Sequence, residues 1–157
     1  MRGGLLLVVV LALAGCGGTT AAPKDDPGRF AVKVVNLLVA NHYAQAWGDL
    51  HPEDQRVAPL SEYVGCETRT PILARPRAIK VLTIRGESVG LGNGKFVDSR
   101  AVGVRLSFGG GLKLTHTVHV VAEHGHWRWI LPSWRFRDYR ADRCPSDAGS
   151  GPPQQQS

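Results

Sequence analysis

Residues 101–120 read AVGVRLSFGGGLKLTHTVHV, and this stretch decides the fold. Apolar residues occupy alternate positions on both sides of the three consecutive glycines at 109–111. Successive side chains of a β-strand point to opposite faces of a sheet, so a repeat of two predicts strands. The alternating apolar positions are Val102, Val104, Leu106, Leu114, Val118 and Val120. We therefore expect two antiparallel strands joined by a glycine-rich turn.

Two further strands are expected on either side of this pair. One lies near residues 79–84 and is followed by the glycine-rich stretch 90–94, which predicts a hairpin loop. The other lies near residues 127–131, after a turn at His124 and Gly125. The sequence thus predicts a sheet of four strands, the last three in an antiparallel meander.

Helical spacing dominates the part of the chain that precedes the sheet. Residues 29–40 (RFAVKVVNLLVA) place apolar side chains three and four apart, and Asn41 suits the left-handed conformation at a helix end. Residues 42–51 continue helically, and Pro52 can begin a third, short helix over 53–64. Helices followed by an antiparallel sheet predict the α+β class.

Length and charge limit the classes of function. The 157 residues permit one ordinary domain, which excludes a multi-domain enzyme. The net charge of +6 favours anionic surfaces. Basic residues cluster late in the chain, at Arg128, Arg135, Arg137, Arg140 and Arg143. This stripe could lie against anionic lipid headgroups or could be a solvated face. The solvated face is favoured because Asp138 and Asp142 partly cancel the positive charge.

The first residues are typical of a secretion signal. Arg2 precedes an apolar run over residues 5–14, which is too short to span a membrane because spanning takes roughly 20 residues. Leu13-Ala14-Gly15-Cys16 resembles the lipobox of bacterial lipoproteins, in which the cysteine thiol receives diacylglycerol. We expect lipidation of Cys16, with palmitate as an acyl group, and a location on the extracytoplasmic face of the bacterial cell membrane. The alternative is an ordinary secreted protein with Cys16 as a plain thiol.

These observations divide the chain into four parts. A signal peptide occupies residues 1–15 and a flexible tether occupies 16–27, where large apolar residues are absent. The α+β domain is expected over 28–144, and a tail poor in core-forming residues over 145–157. Nucleic acid is excluded as a partner by the compartment.

Several segments of the domain resemble one family. The similarity lies in the run from Phe30 to Trp47, the segments Leu50-His51-Pro52 and Tyr63-Val64-Gly65-Cys66, and the closing GHWRW at 125–129 with Trp134. In these segments the chain is similar to envelope lipoproteins of the nuclear transport factor 2-like superfamily. The resemblance implies a cone-shaped, cystatin-like α+β fold whose sheet wraps the first helix and leaves a pocket at its mouth. Members include enzymes, ligand-binding domains and scaffolding domains, so fold does not settle function.

The remaining cysteines form an even pair. With Cys16 lipidated, Cys66 and Cys144 are left in a compartment where disulfides persist. We expect them to be bonded, with two separate thiols as the alternative. Neither cysteine has a second ligand at short spacing, so we expect no metal and no cofactor.

Aromatic residues and one histidine are the pocket candidates. Trp127 and Trp129 share a face of their strand, and Tyr43, Trp47 and His116 could line the same pocket. Core packing explains the aromatic spacing equally well. His116 lies on the apolar side of its strand, whereas Asp98 and Glu123 lie near sheet edges and are not convincing general bases.

The sequence therefore favours a lipid-anchored extracytoplasmic domain that binds a small apolar ligand or an envelope protein without catalysis. Two alternatives stay open: an isomerase or dehydratase that uses His116 for proton transfer, and a docking module without a cavity. Dimerisation is left undecided by the sequence.

Overall fold

The computed structural model describes residues 23–145, which contain five α-helices and one four-stranded antiparallel sheet. The predicted α+β class is confirmed. The helices are α1 (Pro27–Val39), α2 (Tyr43–Gly48), α3 (Pro52–Val57), α4 (Leu60–Glu67) and α5 (Ser133–Arg140). The strands are β1 (Ala78–Gly90), β2 (Phe96–Ser107), β3 (Lys113–Glu123) and β4 (His126–Trp129). No helix within these residues is long and apolar enough to cross a membrane.

Several predicted segments lie outside the described residues. These are the signal peptide at residues 1–15, the lipobox-like segment with Cys16, and most of the tether and the tail. The tether and domain meet where α1 begins. Asp26 caps this helix, since its Oδ1 accepts a hydrogen bond from the Arg29 backbone N–H at 2.9 Å. The helix ends at Val39, and Asn41 adopts a positive φ of 60°, which agrees with the predicted end near Asn41.

The prediction of one helix over residues 53–64 is wrong. Two short helices, α3 and α4, occupy this region and are separated at Ala58 and Pro59. Proline lacks a backbone N–H and disfavours helical conformation in the residue before it, so α3 ends before Pro59 and α4 begins after it. The break lets α3 and α4 pack on different neighbours: α3 contacts α5, and α4 contacts α2.

The sheet is a complete antiparallel meander in the order β1-β2-β3-β4. β1 is longer than the predicted 79–84 and pairs with β2 from Ala78↔Ser107 to Gly90↔Phe96, with one irregularity between Val81 and Thr83. β3 pairs with β2 over most of its length, but β4 pairs only with Val120–Glu123. The first half of β3 therefore has an unpaired outer edge among the described residues.

One face of the sheet packs against α1. Val102 and Val104 of β2 and Val120 of β3 are fully buried with Ala31 and Val34 of α1. Most of the alternating apolar residues of β2 and β3 are thus buried on this face, as the periodicity predicts, whereas Leu114 is 51% exposed. A smaller apolar cluster of Leu91, Val121 and Ile130 lies at the other end of the sheet.

The end of β4 is linked to two other parts of the chain. The segment around Leu50 forms a parallel bridge to Trp129, with His51 donating its backbone N–H to the Trp129 carbonyl at 2.8 Å. After β4, residues 130–132 lead into α5, a helix that the sequence analysis did not predict. This helix begins after Pro132, and Phe136 and Tyr139 are its buried apolar residues.

Cys66 of α4 and Cys144 are joined by a disulfide, with Cα atoms 5.2 Å apart, and the predicted pairing is confirmed. The bond connects residues separated by 78 positions and holds the chain after α5 against the helical layer. Both cysteines are buried.

Candidate functional site

An open cleft of about 1070 Å³ lies between α1, the outer edge of β3 and the segment that leads into α5. This volume is at the upper end of the range of about 300–1,000 Å³ that is usual for small-molecule sites. Most of the wall is apolar, and its larger apolar members are Leu38, Phe96, Trp129, Ile130, Leu131 and Trp134. A second groove beside the disulfide is smaller, about 590 Å³, and contains mainly polar residues such as Ser61, Glu62 and Arg69. The larger, apolar cleft is therefore the candidate site.

The cleft exists because β4 is short. β4 pairs with β3 from Val120 onward, and the Ile130 backbone N–H still donates to the His119 carbonyl at 3.0 Å, so the β3 segment from His116 to Val118 has no strand beside it. The chain after β4 turns away from β3 and lines the opposite wall with Leu131 and Trp134. Leu38 of α1 contributes further apolar surface, and the fully buried Val34 lies beneath it.

The tip of the β1–β2 hairpin forms another side of the cleft and is attached to α5. A Cβ at Gly92 would overlap the Phe136 ring, so only glycine lets this backbone approach α5 so closely. Arg140 donates a hydrogen bond to the Gly92 carbonyl at 3.2 Å. Leu91 packs with Val121 and Ile130. These contacts hold the tip, with Lys95 and Phe96, at the cleft.

Two histidines of β3 lie at the cleft, on opposite faces of their strand. His116 is accessible from the cleft, and the surrounding protein lowers its pKa by desolvating the charged form, with a smaller contribution from His119. His119 Nδ1 lies 3.2 Å from Glu87 Oε1. Glu87 therefore pairs with His119, whereas the His116 side chain has no hydrogen-bond partner among the described residues.

The five residues that the sequence proposed for a pocket are found in different places. His116 and Trp129 line the cleft, and the Trp129 indole N–H donates to the Ala46 carbonyl at 2.7 Å. Trp47 and Tyr43 do not line the cleft: Trp47 donates to the Ala58 carbonyl at 2.7 Å, and Tyr43 is buried in the core. Trp127 lines a separate groove near the start of α1, where its indole N–H donates to the Asp25 carbonyl.

Most of one wall consists of residues that the sequence pattern did not indicate. Leu131, Pro132 and Arg135 belong to the segment into α5, and Lys95 lies on the hairpin tip. A signal for the helix is present in the sequence, because Pro132-Ser133 precedes aromatic residues at Phe136 and Tyr139, three apart. Nothing in the sequence places Lys95 beside β3, since that depends on how the hairpin curls.

A buried acid stands behind the cleft. Asp54 of α3 is fully buried, and its Oδ2 accepts a hydrogen bond from the Leu131 backbone N–H at 2.9 Å. Its Oδ1 has no partner, and burial raises the pKa of Asp54 to about 7. A protonated carboxyl group suits this position because it leaves no unpaired charge in the core.

The late arginines have separate environments rather than one shared stripe. Arg135 forms an ion pair with Glu67, which also accepts a hydrogen bond from the Tyr139 hydroxyl at 2.7 Å. Arg143 pairs with Asp138 at 2.8 Å, and Arg128 donates to the Gly48 carbonyl at 2.7 Å. Arg135 therefore joins α5 to α4 and Arg128 joins β4 to α2, whereas Arg143 binds a residue of α5 from the segment that follows it.

Residues 23–145 contain no cluster of three or more histidine, cysteine or acidic side chains that could hold a metal ion. Comparison with known proteins gives no family: no protein-family model matches the chain, and no curated protein is significantly similar to it. The geometry of the cleft is consequently the basis for a functional proposal.

Proposed function

We propose that this protein is a lipid-anchored extracytoplasmic domain that binds a small apolar ligand in the cleft between α1, β3 and α5, without catalysis. The observation that carries the proposal is a cleft of about 1070 Å³ whose wall is mostly apolar. A concave, largely apolar site in which a few polar groups fix orientation is the usual form of a ligand pocket.

The location part of the proposal comes from two features. The lipobox-like Leu13-Ala14-Gly15-Cys16 supports attachment to a membrane, and the Cys66–Cys144 disulfide fits an oxidising compartment. The part of the proposal that concerns shape is a nuclear transport factor 2-like cone. It is supported by the packing of α1 against β2, β3 and β4, which is what a sheet curled around its first helix requires.

The geometry around His116 supports binding rather than catalysis. A general acid or base needs a second polar group to orient it or to complete the proton transfer. No carboxylate is found among the described residues of the cleft wall, and Glu87 lies beside His119, which is on the other face of the strand. His116 therefore lines the cleft as a polar contact for a ligand. The open cleft also argues against a docking module without a cavity.

The binding proposal is tested by filling the cleft. Thr117 and Thr115 are both exposed on the same face of β3, but only Thr117 lines the cleft. Thr117→Trp should weaken binding of the neutral apolar dye Nile red by about tenfold or more, whereas Thr115→Trp should leave it unchanged. Equal binding by both variants would show that the dye does not use this cleft and would contradict the proposal.

The alternative of an enzyme is tested with the natural ligand. Native mass spectrometry of the protein purified from its own envelope identifies a retained molecule, which is then followed for binding and for chemical conversion. His116→Gln should change affinity by about 0.5–1.5 kcal/mol, as expected for one polar contact, and neither protein should convert the ligand. Turnover by the wild type that falls by about a hundredfold in the variant would establish an enzyme instead.

A further inference from the structure

The charged residues of the cleft all have the same sign. Lys95 and Arg135 line it, and no aspartate or glutamate is found among the described residues of its wall. An uncharged ligand would gain nothing from these cations, whereas an anionic ligand would gain a charge-assisted contact. The charged groups of the wall are therefore positive and complement a negatively charged ligand.

The two cations differ in whether they are already neutralised. Arg135 forms an ion pair with Glu67, so its charge is balanced within the protein. The Lys95 side chain is exposed and has no ion-pair partner among the residues that the structure describes. Its backbone is fixed, because its N–H donates to Asn93 Oδ1 at 3.0 Å and its carbonyl accepts from Leu91 at 2.8 Å. Lys95 therefore presents an unpaired ammonium group from a well-defined turn.

The histidines add donors but no negative charge. With its pKa lowered, His116 is neutral at neutral pH and can donate one ring N–H to a ligand oxygen. The acid nearest to either histidine, Glu87, faces His119 and is absent from the wall. A cationic ligand would consequently find no carboxylate in the cleft, whereas an anionic one would find an ammonium group and an imidazole donor.

We propose that the ligand is an anionic amphiphile whose hydrocarbon chain lies along Leu38, Phe96 and Trp134, which are accessible apolar residues of the wall, and whose carboxylate or phosphate head is held by Lys95. This inference rests on the proposed function and adds the chemical class of the ligand. Ammonium groups recognise both carboxylate and phosphate as point charges, so the shared feature is the negative head.

The inference is tested by displacement of Nile red with four probes that share one hydrocarbon chain: palmitate, hexadecyl phosphate, hexadecanol and hexadecyltrimethylammonium, each below its micelle-forming concentration. At least one of the anions should displace the dye at about tenfold lower concentration than the alcohol, and the cation should be the weakest competitor. Lys95→Gln should remove the preference for the anion over the alcohol. Lys113→Gln, at an exposed lysine of β3 outside the cleft, should retain it.

The outcomes separate this inference from the proposal on which it rests. A preference for both anions, or for palmitate or the phosphate alone, supports it and distinguishes fatty acids from phosphate-bearing lipids as the source. Equal displacement by the anions and the alcohol, or a preference that survives Lys95→Gln, would overturn the anionic head while leaving an apolar site intact. Failure of Nile red to bind the wild type would instead remove the apolar site itself.

Discussion

Asp54 and Leu131 are joined by a buried hydrogen bond of 2.9 Å from the Leu131 backbone N–H to Asp54 Oδ2. The bond connects α3 to the segment that forms one wall of the cleft. Because residues 130–132 lie between a strand and a helix, Leu131 N–H has no partner within regular secondary structure. A side chain supplies the acceptor, as buried backbone groups require.

This acid makes stability depend on pH. The raised pKa of about 7, against 3.8 for the ordinary carboxyl group, means that the folded protein holds a proton that the unfolded chain has lost. Stability should therefore fall as the pH rises from about 4 to about 7 and then level off, by at most about 4 kcal/mol from this group. Asp54→Asn cannot ionise and should flatten the curve, as measured by chemical denaturation across this range.

An exposed acid provides the control for this prediction. Asp98→Asn, on β2, should keep the pH dependence of the wild type. If Asp54→Asn and the wild type lost stability in parallel as the pH rose, the buried carboxyl group would not be the cause.

The contact of Gly92 with Phe136 should be visible in stability. Gly92 and Gly94 both adopt positive φ, 71° and 83°, but a Cβ at Gly94 would meet no atom within 4 Å. Gly94→Ala should cost about 1–2 kcal/mol from backbone conformation alone. Gly92→Ala should cost a further 1 kcal/mol or more, roughly, because its methyl group collides with the Phe136 ring. Equal losses in thermal denaturation would show that the hairpin tip does not rest on α5.

The disulfide should contribute strongly to stability. Cys144→Ser opens a bond that spans 78 residues, and loss of such a bond in a small domain typically costs about 2–5 kcal/mol. We expect the melting temperature to fall by roughly 10 °C or more. The wild type under reducing conditions should show a similar decrease, and a wild type insensitive to reductant would argue that the bond does not form in the protein as isolated.

Membrane attachment should depend on a single thiol. Cys16→Ala removes the only residue of the lipobox-like segment that can form a thioether with diacylglycerol. Two acyl chains give stable binding where one is marginal, so the variant should move from the membrane to the soluble fraction on cell fractionation. Cys66→Ala is a suitable control, since it should stay with the membrane despite the loss of a cysteine. Membrane retention of Cys16→Ala would contradict lipid anchoring.

Local sequence determined the elements whose signals are periodic. The alternation over residues 101–120 and the helical spacing of α1 each indicate one apolar face. That face is buried along α1, β2 and the second half of β3, whereas Leu114 in the first half of β3 is exposed. The glycine stretches and His124-Gly125 form the turns, where Gly110, Gly125 and His124 adopt positive φ. The disulfide was also predicted from the sequence, because two cysteines remain once Cys16 is assigned to the predicted lipidation site, and two cysteines allow one pairing.

Local sequence was a weaker guide where the neighbours decide the structure. Pro59 itself indicates the break between α3 and α4, but the apolar pattern around it obscured this signal. The composition of α5 is polar, and only Phe136, Asp138 and Tyr139 of this helix are buried. Such a helix is stable because of its contacts with α3 and the hairpin tip, not because of its own amphipathic pattern.

The sequence by itself determined the α+β class, the helix-then-sheet order and the cysteine pair, since these depend on periodicity and on residue type. Only the tertiary structure decided the cleft. It placed Lys95 beside residues of β3 and α5 that are more than 20 positions away, and it separated Trp47 and Tyr43 from His116 and Trp129. Which residues line a cavity depends on where the helices and strands end and on how the sheet curls. β4 is short and leaves part of β3 unpaired, and this length is set by the packing of the whole chain and not by a local sequence pattern.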